Sequence, residues 1–213
     1  EKKNEFKAKW QSEKEILVQS AKSLSTRFNP KVGCIQSWNN IKSLDGKRIL
    51  SYPVIIDNMM NLELLFFASK VTGDPSFKNI AISHAATTMK NHLRSDYSSY
   101  HVVDYDAQTG EVKSRETMQG FSDNSTWSRG QAWGIYGFTM EYRETKDKRF
   151  LETAQKMADY FIEHSPKDKI PYWDFNVNQP GYTPVWNYDA TKYPEPPRDA
   201  SAAAIAASAL IEL

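Results

Sequence analysis

Residues 72–89, TGDPSFKNIAISHAATTM, and residues 145–161, TKDKRFLETAQKMADYF, carry the same pattern. Each sets an aspartate in a turn (Asp74, Asp147), follows it with a phenylalanine (Phe77, Phe150), and spaces alanines at the same offsets, Ala81 and Ala85 against Ala154 and Ala158. Small residues four apart on a helix let a neighbouring helix approach closely. Either copy alone reads as an ordinary soluble helix. The shared turn and offsets together predict repeated helical hairpins, units that bury their apolar faces only by stacking on neighbours.

The flanking segments supply the neighbours. Residues 58–71, NMMNLELLFFASKV, read as a strongly apolar helix closed by Gly73 in a left-handed cap. Further helices are expected over 128–144 and 149–164. Another is expected over 4–28, where Phe6, Trp10, Ile16, Leu17, Ala21 and Leu24 fall near helical spacing and Pro30 follows. Two β-ribbons are predicted. In the first, CIQSW and SYPVII flank a polar segment containing the turn Asp45-Gly46; in the second, SYHVVDYD and EVKSRETM are joined by residues 107–110. A proline-rich loop, 179–197, leads into a last helix from Asp199, SAAAIAASALIEL, which reaches Leu213 with neither cap nor polar terminal turn. The expected fold class is therefore all-α with short β-ribbons, a single domain over 1–213. If the hairpins close into a ring, about half of it is expected here.

Composition narrows the function classes. A chain of 213 residues can bury a sizeable core, and its net charge of +1 gives no field to draw it to nucleic acid or an anionic membrane. Cys34 is the only cysteine, which rules out an internal disulfide framework. No apolar run approaches the ~18–20 residues that span a bilayer. The opening EKKNEF has neither an initiator methionine nor a signal-peptide pattern, so cytoplasm and periplasm both fit.

Several residues could carry chemistry. Asp57 follows the apolar run Val54-Ile55-Ile56 and opens the helix NMMNLELL. It reads either as an N-cap, which would lower its pKa, or as a general acid whose pKa is raised by its apolar neighbours. His101 sits in a tyrosine-rich strand, as a pocket residue or a plain ribbon histidine. The scattered histidines and single cysteine offer no metal-ligand spacing. Residues 119–138, QGFSDNSTWSRGQAWGIYGF, concentrate an amide, a carboxylate, an arginine, two tryptophans and four glycines at a helix start, more than a core helix needs. Ser128 is a candidate cap there. Arg129 and Trp133 lie four apart on one face, suited to a cation–π contact or to a carboxylate clamp beside a stacking platform. Gly130 and Gly134 suggest close approach by backbone or ligand. The aromatic-acid run 172–175, YWDF, and Arg198-Asp199 form two weaker constellations. Trp173 and Trp186 read by default as plugs of a helical ring.

VIIDNMMNLELLFFAS, the His101 segment, TMQGFSDNSTWSRGQAWGIYGF, PYWDF and RDASAAAIAASALIEL occur in that order. From about Asn29 onward the chain resembles the unsaturated glucuronyl hydrolases of glycoside hydrolase family 88. The neighbouring unsaturated rhamnogalacturonyl hydrolases usually differ in the WSRGQAWGIYGF block. The resemblance implies an α/α toroid of six-hairpin type, of which this chain covers part. It also implies an enzyme without metal or other cofactor that removes a 4,5-unsaturated uronic acid from lyase-generated oligosaccharides, such as glycosaminoglycan disaccharides. It gives Asp57 the role of general acid and base, and places His101, Thr117, Gln119, Trp127, Arg129 and Trp133 in the sugar pocket. A second aspartate essential to the family lies upstream of the Asn29 region, and nothing in residues 1–28 matches its block. The chain by itself is therefore expected to be inactive. A catalytically inactive carbohydrate-binding helical module is the alternative from another class.

Overall fold

In a computed structural model, residues 2–189 and 192–213 are described. Residues 190 and 191 of the proline-rich loop lie outside the described residues, as do the side chains of 2–8, including the predicted apolar Phe6. Both turns of the repeat form as their residues dictate. Helix α2 (Leu62–Thr72) ends at Gly73 in the left-handed conformation, and Asp74 then caps α3 (Pro75–Asn91) by accepting the Ser76 N–H at 2.8 Å. Helix α4 (Ser128–Thr145) turns through Lys146, and Asp147 caps α5 (Lys148–His164) by accepting the Arg149 N–H at 2.9 Å. The two phenylalanines and four alanines of the repeat are all buried. Phe150 stacks on Phe138 of α4 at 6.0 Å.

Helix α6 (Ala200–Glu212) packs beside α4, and its Ala202, Ala206 and Ala209 are all buried. Helix α1 (Lys2–Ser25) forms, but among the described side chains of its expected apolar stripe only Ala21 and Leu24 meet the core. Trp10, Ile16 and Leu17 are exposed. The helix also stops short of Phe28, which pairs with Ile35 across β1 (Phe28–Asn29) and β2 (Cys34–Ile35).

The first ribbon differs from expectation. The Asp45-Gly46 turn closes a smaller hairpin of β3 (Ile41–Lys42) and β4 (Ile49–Leu50), while SYPVII supplies β5 (Pro53–Ile55) to the second ribbon. There β5, β6 (Val102–Tyr105) and β7 (Val112–Glu116) form one antiparallel sheet in that order, with Val54 opposite Val103 and Asp104 opposite Ser114. The apolar β5 is taken up by buried β6, whose residues need covering on both edges.

Between β5 and α2 the chain makes a 3-10 segment, Ile56–Asn61, where a continuous helix was expected. It lies against α4 because α4 carries glycine on that face. A Cβ on Gly137 would meet Met59 Cβ at 2.3 Å, and one on Gly130 would meet Ile56 Cγ2 at 2.9 Å. On Gly134 the close neighbour is Met157 of α5 at 2.3 Å. At Gly130 and Gly134 the close neighbours are core side chains rather than the backbone that their pattern suggested. The consequence is that the segment bearing Asp57 is pressed against the helix bearing Arg129.

Candidate functional site

The site lies where the end of the β5–β6–β7 sheet meets the N-termini of α4 and α6. Ile56 N–H bonds to the His101 carbonyl at 3.0 Å, which fixes the 3-10 segment against β6. Asp57 sits in the first turn of that segment and is 8% exposed. The N-cap position is held by Ile55, with no side-chain cap bond, so the capping reading of Asp57 fails. Burial instead pushes its carboxyl up to about 6, against the opposing pull of its own backbone N–H and of the Arg129 charge.

His101 Nε2 stands 3.8 Å from Asp57 Oδ2. The pair is not an ion pair, because burial, with repulsion from His92, holds the His101 ring down to about 3 and keeps it neutral. Its tautomer follows from its partners. Nδ1 accepts the Met118 N–H at 3.1 Å, so the ring hydrogen is on Nε2 and faces Asp57. The gap is too long for a hydrogen bond. Both atoms are buried and make no hydrogen bond among the described residues, leaving a matched donor and acceptor side by side.

Aromatic rings wall this pair. Trp127 lies on the His101 ring at 4.4 Å, and Trp38 meets its edge at 6.3 Å. The Arg129 guanidinium stands 5.5 Å from the Trp127 ring. The expected Arg129–Trp133 contact is replaced by this one: Trp133 is half-buried and sits edge-on to Tyr136 at 5.7 Å, one turn further along α4. Arg129 donates Nε–H and Nη2–H to Asp199 Oδ2 at 3.0 and 2.9 Å. Ser128 does not cap α4, since Trp127 holds that position; its hydroxyl donates to the Trp173 carbonyl at 3.0 Å.

The remaining wall is a loop held from behind. Thr117 Oγ1 accepts the Gly120 N–H at 2.7 Å and lies 3.4 Å from His101 Nδ1. Gln119 is exposed; its carbonyl accepts the Trp173 indole N–H at 2.7 Å, while its side chain has no partner among the described residues. Asp174, fully buried, accepts the Phe121 N–H at 2.9 Å, the Ser125 hydroxyl at 2.6 Å and the Asn176 N–H at 2.9 Å. Burial raises its carboxyl above the usual range even against these donors. Trp186 donates its indole N–H to the Gly120 carbonyl at 2.9 Å.

The structure thus joins Asp57, His101, Thr117, Trp127 and Arg129 by direct contacts or charge. Gln119 sits at the rim, and Trp133 is linked only through α4. Sequence reasoning gave no role to Trp38, and noted Asp174 and Asp199 without seeing what they hold. Their only signal was their place beside aromatic or basic residues at segment ends. Among the described residues, no three His, Cys, Asp or Glu side chains gather as a metal site.

No family model matches the chain. An unsaturated glucuronyl hydrolase of Formosa agariphila is 48% identical over 202 residues, 94% of this chain and 46% of that protein. An unsaturated chondroitin disaccharide hydrolase of Streptococcus pyogenes is 36% identical over 200 residues, again 94% of this chain and 46% of that protein. A crystal structure of an unsaturated glucuronyl hydrolase specific for heparin matches with a TM-score of 0.80 at 47% identity, covering 92% of this chain and 48% of that one. The chain therefore spans about half the length of the curated relatives it matches. These structural neighbours are α/α toroids, so the expected fold class holds.

Proposed function

The chain belongs to the unsaturated glucuronyl hydrolases, glycoside hydrolase family 88, and we propose that its protein removes a 4,5-unsaturated uronic acid from lyase-generated oligosaccharides. The substrates we infer are glycosaminoglycan disaccharides. Residues 1–213 are read as a single-domain portion of the catalytic toroid. The observation that carries the reading is a buried carboxyl near pKa 6, unpartnered at Oδ2, facing a neutral histidine N–H beside an arginine and aromatic walls.

The substrate is a vinyl ether. Protonation at C4 by the Asp57 carboxyl leaves positive charge at C5, shared with the ring oxygen. Asp57, now a carboxylate, takes a proton from water as that water adds to C5, and the acid is restored. The resulting hemiketal opens and releases the aglycone. A carboxyl near pKa 6 suits both halves of this cycle, being neither too weak an acid nor too weak a base at neutral pH. A sugar hydroxyl could accept from His101 Nε2–H and donate to Asp57 Oδ2 at once, filling both unmet capacities. Arg129 offers a planar fork to the uronate carboxylate; Trp127 and Trp133 offer apolar faces, Gln119 a polar group at the rim, and Thr117 a hydroxyl beside His101. The glucuronyl reading is favoured over the rhamnogalacturonyl one because these relatives are glucuronyl and chondroitin disaccharide hydrolases. Both source organisms are bacteria, for which we keep cytoplasm or periplasm as the compartment.

The test is loss of enol-ether absorbance with a panel of lyase-generated disaccharides, using the intact protein and its Asp57→Asn variant. Turnover by the unaltered protein and a fall of about a thousandfold in the variant, with the fold retained, are expected. Full activity of Asp57→Asn would remove that residue from the mechanism.

A further inference from the structure

Asp199 joins two structures with its two carboxylate oxygens. Oδ1 accepts the Ala202 N–H at 2.8 Å and so caps α6. Oδ2 accepts both Nε–H and Nη2–H of Arg129, 70 residues away in sequence. Its side chain is only 5% exposed, whereas that of Arg129 is 37% exposed. The immobile partner is therefore the aspartate, fixed by the helix it caps and by its own N–H, which bonds to the Pro171 carbonyl at 2.9 Å.

A guanidinium has two edges that can take a carboxylate, one formed by Nε and Nη2 and the other by Nη1 and Nη2. Asp199 occupies the first. The second is left: among the described residues nothing pairs with Nη1. An unrestrained arginine would swing through many rotamers, and ordering such a side chain at binding opposes association. Here that ordering is done in the folded protein.

We propose that Asp199 is a positioning residue for the proposed reaction, holding Arg129 so that its free Nη1–Nη2 edge meets the uronate carboxylate. This rests on the reading of Arg129 as the uronate clamp. It makes α6 part of the binding apparatus, although no side chain of α6 itself is needed at the sugar.

The test is a double-mutant cycle in the intact protein, read as kcat/KM and as the calorimetric Kd for an unsaturated disaccharide in an Asp57→Asn background. Asp199→Asn and Asp199→Ser both keep an acceptor for the α6 cap, so thermal stability separates folding from positioning. About a tenfold loss is expected from either variant in the presence of Arg129, and almost none once Arg129 is already alanine. Unchanged kcat/KM and Kd in both variants, or a loss that is undiminished in the Arg129→Ala background, would overturn the proposal. Binding remains measurable where Arg129→Ala turns over too slowly to assay. Failure of the unaltered protein to turn over or bind any unsaturated disaccharide would instead sink the function on which the inference rests.

Discussion

At the tight turns joining α2 to α3 and α4 to α5, Asp74 and Asp147 accept backbone N–H groups and are held below the usual carboxylate range. At the opposite end of the same hairpins, Asp57 also stands near the start of a helix, yet it caps nothing and burial lifts it to about 6. The residue type is the same and the placement nearly so. What differs is access to water and to donors: a carboxylate with donors keeps its charge, while one buried with Oδ2 unpartnered is driven toward its protonated form. A third carboxyl sharpens the contrast. Glu141, within α4, is fully buried with both oxygens unpartnered, and burial, aided by the charge of Glu144, pushes it up to about 8. It has a larger shift than Asp57 and no donor, arginine or histidine facing it among the described residues. A raised pKa marks burial; the matched His101 donor and the nearby guanidinium are what make Asp57 a candidate for chemistry.

Glu141 gives the largest expected effect. Its folded-state pKa lies above its unfolded value, so its contribution to stability is complete below about pH 4.5 and is lost as pH rises through about 8. Glu141→Gln should remove that decline, raising stability above pH 8 by something on the order of 4 kcal/mol. Denaturant unfolding from pH 4 to 9 measures it. Turnover should be unaffected. A loss of turnover in Glu141→Gln with the fold intact would break the contrast, because a carboxyl remote from the proposed sugar site would then share in the reaction.

Asp57 comes next. Its folded pKa is likewise raised, from 3.8 to about 6, so the unaltered protein loses stability between those values and stays lower above them. Asp57→Asn should therefore be more stable by about 3 kcal/mol above pH 6, and no more stable below about pH 4. The same variant that abolishes turnover would then strengthen the fold, as expected where a site holds a group in an unfavourable environment. Equal stability at all pH values would mean that Asp57 is solvated, which its proposed role does not survive.

How much of this was readable in the sequence follows the same divide. The turn ends were legible: Asp74 and Asp147, Gly73, and the Phe–Ala offsets are local patterns whose partners lie within a few residues. The site end was legible only in its residue types. Whether Asp57 caps or stays uncapped depends on a 3-10 segment forced by its packing on α4, and that packing depends on Met59 lying over Gly137, 78 residues apart. Ser128 has cap chemistry, but the helix starts one residue earlier than a serine cap requires, with Trp127 at the cap and the Ser128 hydroxyl donated to the Trp173 carbonyl of the segment paired alongside. Arg129 reads as the partner of Trp133, four residues along the same face, because its actual carboxylate partner, Asp199, lies 70 residues on. Glu141 gave no signal at all, since one polar letter in an amphipathic helix is normally on the solvent face.

The smallest effect lies at the turn end and should have the opposite sign. Asp147 is held low first by the Arg149 side chain and then by the Arg149 N–H, so its folded pKa lies below its unfolded one. Its stabilisation is therefore present above about pH 4 and fades as pH falls through the folded value. Asp147→Ala should destabilise the protein by about 1 kcal/mol at neutral pH, with the gap from the unaltered protein closing in acid and turnover unchanged. Unfolding curves at pH 7 and pH 3 are enough to check it. A loss that grows in acid would mean that the carboxylate is not what holds the turn, and the two ends of the hairpins would no longer differ in how they use aspartate.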